Sequence, residues 1–456
     1  MAYFSRTSSV AVAVLALFIG LVFANPSLAQ SNRDTDGDRP FRGDARALAV
    51  EDMASAIDDF YWDATEAAEI AATLREMSTN GGFDQSTTPN ELSQQLTAIL
   101  NEVDRHFAVN YIGPRAVEDI MEEYASMEAG NAPSGDPHAA SRMRNFGFRE
   151  VSVLAGNVGY INLTEFAEII PAGATATAAL DFIANTDAVI IDLRTNPGGT
   201  PGMVQFIASH FLDPSERTVI NTFISRDREA PRELHSLQHL SSAARPNVPL
   251  YILTSGRTGS AAESFSYNLQ ALERATIVGQ TTAGAANPGG ELFSDLGYSI
   301  FVSTGSARSP ITGTNWEGTG VAPNVEVASN EALDTALLLA YREIVATTDN
   351  ELQQQSLAWS IEEMEYRQSP TTMGEADMAE LVGTYGPRRI FESDGALSYQ
   401  RGDQDPVALH PLGEDHFLFG FDSPYRLSFQ RNRRGDVTSL SLTSLDRPPS
   451  VSPRDD

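Results

Sequence analysis

The chain has 456 residues, enough for two or three domains with at least one large buried core. Its 61 acidic residues outweigh 31 basic ones, a formal net charge of −30. Such a balance repels nucleic-acid phosphates and anionic lipid, so neither is expected as a partner.

Every basic residue is an arginine, and without lysine Ser–Lys dyads, Schiff bases and pyridoxal attachment are excluded. Cysteine is absent too, which rules out disulfides, thiolate metal sites and a lipid-modified cysteine. Residues 1–29 read as an export signal. Arg6 supplies the basic start, Val10 to Ala24 an apolar run short of a ~20-residue membrane span, and Ser27-Leu28-Ala29 a small-residue cleavage site. The mature chain is therefore expected to be periplasmic or extracellular, with no stable membrane insertion.

A polar, flexible leader is expected over 30–44, followed by an N-terminal helical bundle over 45–113. Ala47, Val50, Met53, Ile57 and Phe60 recur at helical steps, as do Ile70, Leu74 and Met77. Asn80-Gly81-Gly82 interrupts the pattern, and Thr88-Pro89-Asn90 opens a third helix carrying Leu92, Leu96, Ile99 and Leu100. After a Gly/Pro/Ser connection at 131–137, an α/β core is expected over 148–345.

In that core, strands at Asn157–Leu163, Ala188–Leu193, Val248–Thr254 and Thr276–Gly279 alternate with helices at Thr175–Thr186, Met203–Phe211 and Ala261–Glu273. Apolar, β-branched runs such as AVIIDL suit a parallel sheet covered on both faces. Flanking strands are expected near Gly297–Val302 and Gly320–Val327, and a closing helix at Leu333–Ile344. A helical linker over 346–376 leads to a small antiparallel β-domain over 377–447, whose short alternating stretches are separated by Gly- and Asp-containing turns. The tail Pro448–Asp456 is expected to fray.

Three stretches bear chemistry. Thr254-Ser255-Gly256-Arg257-Thr258-Gly259-Ser260-Ala261-Ala262-Glu263 places Ser260 between a buried strand and a helix, where it is either an N-cap or a group exposed to the helix dipole. Asp192 to Gly199 ends in Asn-Pro-Gly-Gly, a turn able to aim backbone N–H groups at an oxyanion. Gly279 to Ala286 follows a third buried strand.

In order and spacing these stretches resemble the tail-specific (C-terminal processing) peptidase superfamily, over about Ala45 to Val327. The resemblance implies a crotonase-like and Clp-protease-like α/β core. In the processing branch the serine pairs with a later lysine; here Ser260 fills the serine position, but Ala285 stands at the lysine position. The tricorn-core and interphotoreceptor retinoid-binding branch uses histidine instead. Asp104-Arg105-His106-Phe107 matches its Asp-x-His motif, and Trp316-Glu317-Gly318-Thr319-Gly320 the segment with its glutamate. The interval from His106 to Asn157 is also too short for the PDZ domain of the processing branch.

The resemblance implies Ser260 as nucleophile, His106 as general base and Glu317 as the carboxylate orienting it, with Asp104 a competitor for that place. Ala261 with Gly198 or Gly199 would supply the oxyanion hole, and Glu263 would brace the nucleophile helix. Tricorn-like sites carry a serine immediately before the histidine, where this chain has Arg105. The implied substrate is a polypeptide, with no cofactor. The alternative is a non-catalytic carrier of a lipophilic ligand on the same scaffold.

Of the other histidines, His210 is the one rival base, and its apolar helical neighbours Phe206, Ile207 and Phe211 favour packing. His235 and His239 are four apart but lack a nearby carboxylate motif and read as solvated helix positions; His138, His410 and His416 join no constellation. No metal is expected.

Overall fold

The computed structural model describes residues 35–130, 136–240 and 242–455, so the proposed export signal lies outside the described residues. Two compact units divide at Ala336/Leu337.

In the first unit, helices α1 (Ala45–Phe60), α2 (Ala64–Thr79) and α3 (Pro89–Leu100) form the N-terminal bundle. Asp63 caps α2 through Thr65 N–H and Glu66 N–H, and Thr88 with Glu91 makes a reciprocal capping box at α3 behind Pro89. Strand β1 (Ala108–Tyr111) and helix α4 (Pro114–Glu128) come next, then a single turn α5 (Ala139–Met143).

The α/β core holds β2 (Phe148–Leu154), β3 (Val158–Leu163), α6 (Ile169–Phe182), β4 (Ala188–Asp192), α7 (Pro201–Ser209), β5 (Val219–Ser225), β6 (Arg232–His235), β7 (Leu250–Thr254), α8 (Ala261–Ala271) and β8 (Thr276–Gly279). After these come β9 (Gly289–Ser294), β10 (Tyr298–Ser303), β11 (Gly305–Arg308), β12 (Val325–Glu326) and α9 (Ala332–Thr347).

The central sheet runs β12-β8-β7-β4-β3-β2, parallel except for the β2–β3 hairpin. Every residue of β4 and β7 is buried, as expected of parallel strands covered on both faces. Helices α6, α7 and α8 supply the cover through Ala172, Ala176, Met203, Val204, Phe265 and Leu269.

The N-terminal bundle does not have a core of its own. Met53, Ile57, Leu74 and Leu96 bury together with Leu292, Tyr298, Ile300 and Val302 of β9 and β10. Strand β1 pairs antiparallel with β10, Ala108 opposite Phe301. Residues 196 (Leu96 to Leu292) to 249 (Met53 to Val302) positions apart thus share one core, and that core fixes the 101–107 turn against the rest of the unit.

Three expectations need correction. His235 and His239 are not helical: His235 ends β6, which pairs with β5 and buries only Leu234, and His239 lies in a loop. The stretch Gly320–Val327 is loop except for the two residues of β12. The tail is not frayed either, because Arg447–Pro453 forms a strand.

In the second unit, α10 (Glu351–Gln368) and α11 (Glu375–Leu381) precede eight antiparallel strands in sequential order. These are β13 (Gly383–Tyr385), β14 (Arg388–Ser393), β15 (Ala396–Arg401), β16 (Val407–Pro411), β17 (His416–Phe419), β18 (Tyr425–Arg431), β19 (Val437–Ser444) and β20 (Arg447–Pro453). Buried Arg388 donates to Ser450 and Ser452 on β20, and Asp455 N–H reaches Thr384 O at 2.9 Å, drawing the last strand to the first. Prolines at 448 and 449 suggest an ending, yet an end strand tolerates the donors they lack.

Candidate active site

Three neighbouring parallel strands, β4, β7 and β8, release loops from their carboxyl ends, and those loops are the three chemistry-bearing stretches. In α/β sheets this is the edge where ligands meet the fold. Hydrogen bonds knit the loops together. Ser255 Oγ donates to Arg194 O (2.6 Å), Thr258 Oγ1 to Leu193 O (2.8 Å), Gly259 N–H to Asn196 O (3.0 Å) and Ala283 N–H to Thr258 O (3.0 Å).

Ser260 stands at the head of α8 with φ 50° and ψ −116°. An ordinary N-cap sits in the extended region, so capping does not account for this backbone. A non-glycine residue there costs of order 1–3 kcal/mol and persists only where its surroundings over-determine it. The surroundings here are specific. Fully buried Glu263 accepts Ser260 N–H (2.8 Å) and Ala285 N–H (2.9 Å) on one oxygen, and Thr282 Oγ1 (2.5 Å) and Gly284 N–H (2.6 Å) on the other. Burial raises the carboxyl pKa of Glu263, with the four donors opposing.

Against this turn lies the Pro-Gly-Gly bend. A Cβ on Gly198 would come within 2.8 Å of Ser260 Cβ, and one on Gly199 would overlap the Phe166 carbonyl; both glycines have φ in the region that L residues avoid, 125° and 138°. Gly198 N–H donates to Asn196 Oδ1 (2.8 Å) and is therefore occupied. The N–H groups of Gly199 and Ala261 have no acceptor among the described residues.

Asn196 was not singled out from sequence, although Asn before Pro-Gly-Gly is a recognised turn signal. It is fully buried, and its Nδ2 also donates to Leu163 O (3.0 Å), so one amide ties β3 to the glycine bend.

His106 lies in the turn between α3 and β1, its ring stacked on Phe301 at 5.5 Å between centroids. Nδ1 is buried without a hydrogen-bond partner and sits 3.9 Å from Asp104 Oδ1. Burial lowers the imidazole pKa, and the Asp104 charge opposes that shift. Asp104 is fully buried and accepts His106 N–H (2.9 Å), Asn287 Nδ2 (2.9 Å) and, more loosely, Tyr61 OH (3.4 Å).

Glu317 receives the N–H groups of Arg105 (2.8 Å), Ala286 (2.6 Å) and Asn287 (3.2 Å). Burial and the neighbouring Asp104 charge push its carboxyl up to about 7. One oxygen of Asp104, one of Glu317 and a ring nitrogen of His106 all lie within 4.8 Å of one another.

The structure thus brings Asp104, His106 and Glu317 together, and separately Ser260, Ala261, Glu263, Gly198 and Gly199. Residues 284–287 connect the groups, since Gly284 and Ala285 bind Glu263 while Ala286 and Asn287 bind Glu317 and Asp104. No hydrogen bond joins His106 to Ser260 among the described residues. His210 is not part of the site. It follows the far end of nine-residue α7, ~14 Å in helix length from the glycine bend, is buried, and its Nδ1 lies 2.8 Å from Phe206 O.

Residues 157–327 match the family model described as peptidase family S41. That segment is similar to peptidase family S41. It contains Ser260, Glu317 and the glycine bend, while Asp104 and His106 precede it. Similar chains include the carboxy-terminal-processing protease of Bartonella bacilliformis, 27% identical over 180 residues that make up 38% of this chain and 39% of that one. The carboxyl-terminal-processing protease of Synechocystis sp. is 34% identical over 129 residues, 28% of each chain. The chain thus spans well under half the length of these relatives. Among solved structures, a putative peptidase from Parabacteroides merdae aligns with TM-score 0.46 and 18% identity over 65% of this chain and 96% of that one. Among the described residues, no helix is long and apolar enough to cross a membrane.

Proposed function

We propose that this chain is an exported serine peptidase that hydrolyses polypeptides through Ser260, with His106 as base. The observation that carries the reading is Ser260 itself. It is held at positive φ at a helix head, beside N–H groups of Ala261 and Gly199 that have no acceptor within the described chain. Donors so placed are each typically worth ~3 kcal/mol to a developing oxyanion.

In the proposed reaction Ser260 Oγ attacks the scissile carbonyl and its proton passes to His106. Ala261 and Gly199 hold the oxyanion, and collapse expels the amine, which takes the proton back from His106. Water then repeats the sequence on the acyl-enzyme. Neutral His106 suits the first step, and Asp104 with Glu317 would stabilise the imidazolium that follows. Catalytic hydrogen bonds are often long in an unliganded enzyme and tighten with substrate, which bears on the missing Ser260–His106 bond. Arg105, whose N–H binds Glu317, stands in place of a relay serine, so the machinery is read as a serine, a histidine and a carboxylate pair. Export rests on the signal read over residues 1–29.

A fluorophosphonate probe tests this. Wild-type chain should be labelled covalently at Ser260, Ser260→Ala should not be labelled, and His106→Ala should label at least about 100-fold more slowly. Wild-type protein that is folded yet inert to the probe would return the scaffold to the carrier reading.

A further inference from the structure

Asp104, fully buried, and Glu317, half-buried, are two carboxylates beside one imidazole, and among the described residues neither forms an ion pair with an arginine. Arg105 reaches Glu317 only through its backbone N–H. The negative charge of this corner therefore has no protein cation against it. The His106 nitrogen nearest Asp104, Nδ1, is buried without a hydrogen-bond partner.

A nitrogen and two carboxylate oxygens are donors that suit a borderline divalent transition ion better than calcium or magnesium, which prefer all-oxygen sites. Zinc holds such ligands at about 2.0–2.2 Å, which sets them roughly 3.3–3.6 Å apart in a tetrahedral arrangement. The atoms here lie within 4.8 Å of one another, and Asp104 Oδ1 is 3.9 Å from Nδ1, so closure asks for about an ångström of side-chain movement. The carboxylates are already aimed by outer hydrogen bonds, Asp104 by Asn287 and Glu317 by three backbone N–H groups. No local spacing marks the three as metal ligands, two of them lying together and the third 211 positions beyond His106.

We propose that Asp104, His106 and Glu317 form a binding site for one divalent transition-metal ion, with Zn²⁺ the best match, and that the ion inhibits the chain by occupying its base. The inhibition rests on the peptidase reading; the binding does not. With the metal on Nδ1, the other ring nitrogen keeps the imidazole's proton and cannot accept that of Ser260, so the bound state is the inactive one.

The test is Zn²⁺ titration of the full chain by calorimetry, with metal content per chain measured after removal of free ion. Wild-type and Ser260→Ala chains should each retain one Zn²⁺ per chain, and His106→Ala and Glu317→Gln should weaken binding by at least about tenfold. Zn²⁺ should also raise the Tm of the wild type and not that of His106→Ala, a comparison that holds even if a variant is destabilised. A surface pair, His235 with Glu233 at 3.1 Å, is the internal competitor. Zn²⁺ binding that persists in His106→Ala and disappears in His235→Ala overturns the proposal, as does a wild type that binds none. Probe labelling at Ser260 without Zn²⁺ binding defeats the cation site alone; Zn²⁺ binding through His106 without labelling defeats the peptidase reading alone.

Discussion

His106 has its Nδ1 sealed from water without a hydrogen bond, beside a buried carboxylate 3.9 Å away. Burial penalises the imidazolium and lowers its pKa below the usual ~6.5, while the Asp104 charge pulls in the opposite direction and loses. A base must be unprotonated to act, so the acid limb of kcat/KM should fall below about pH 6.5. Asp104→Asn removes the charge that favours the imidazolium, and the limb should move lower still. Stopped-time assays of Glu317→Gln, which removes the carboxyl pushed up to about 7, decide this across pH 4 to 8; a limb at or above about pH 7 in that variant would contradict a desolvated His106 as the base.

At the scale of elements, the site depends on how closely the Pro-Gly-Gly bend approaches the segment after β3 and the head of α8. Gly199→Ala would drive a Cβ into the Phe166 carbonyl at a φ of 138°, so the bend must shift. The substitution should cost roughly 2–4 kcal/mol of stability and, by displacing the adjacent donor, at least about 100-fold in turnover. Gly256→Ala is the control. A Cβ there meets nothing within 4 Å, and stability should stay within about 0.5 kcal/mol of wild type. Equal behaviour of the two variants, measured by denaturant melts and turnover, would show that the bend is not a constraint.

The strands and helices that build this region were legible because their signals are local. AVIID and LYILT are buried throughout, and Ser260 stands where strand gives way to helix. Signals that depend on a partner strand or a distant side chain were not legible. β6 reads as helix until β5 is known to lie beside it, and β20 reads as a tail until β19 pairs with it. At the site, Asn287 reaches Asp104 across 183 positions and Glu317 reaches Arg105 across 212. Sequence order carries no trace of those bonds. Asn196 was hidden for another reason, since its turn chemistry reads the same whether or not its amide anchors a second strand.

The molecule as a whole has to hold 61 acidic and 31 basic side chains in two compact units. Salt acts on this chain in two opposed ways. It weakens exposed ion pairs such as Arg75–Glu51 (2.9 Å) and Arg342–Glu365 (2.6 Å), each typically worth about 0.2–1 kcal/mol. It also screens repulsion among the excess carboxylates, which are forced closer in the folded chain than in the unfolded one. Pairing can use at most one acid per arginine, so even complete pairing leaves a surplus of 30 negative charges (61 less 31). The repulsive contribution therefore dominates. Raising NaCl from about 10 mM to about 0.5 M contracts the screening length from ~30 Å to a few ångströms, and Tm should rise by at least about 3 °C. Calorimetric melts at fixed pH check the sign directly. A fall in Tm would mean that the arginine pairs, few as they are, outweigh the repulsion that the composition imposes.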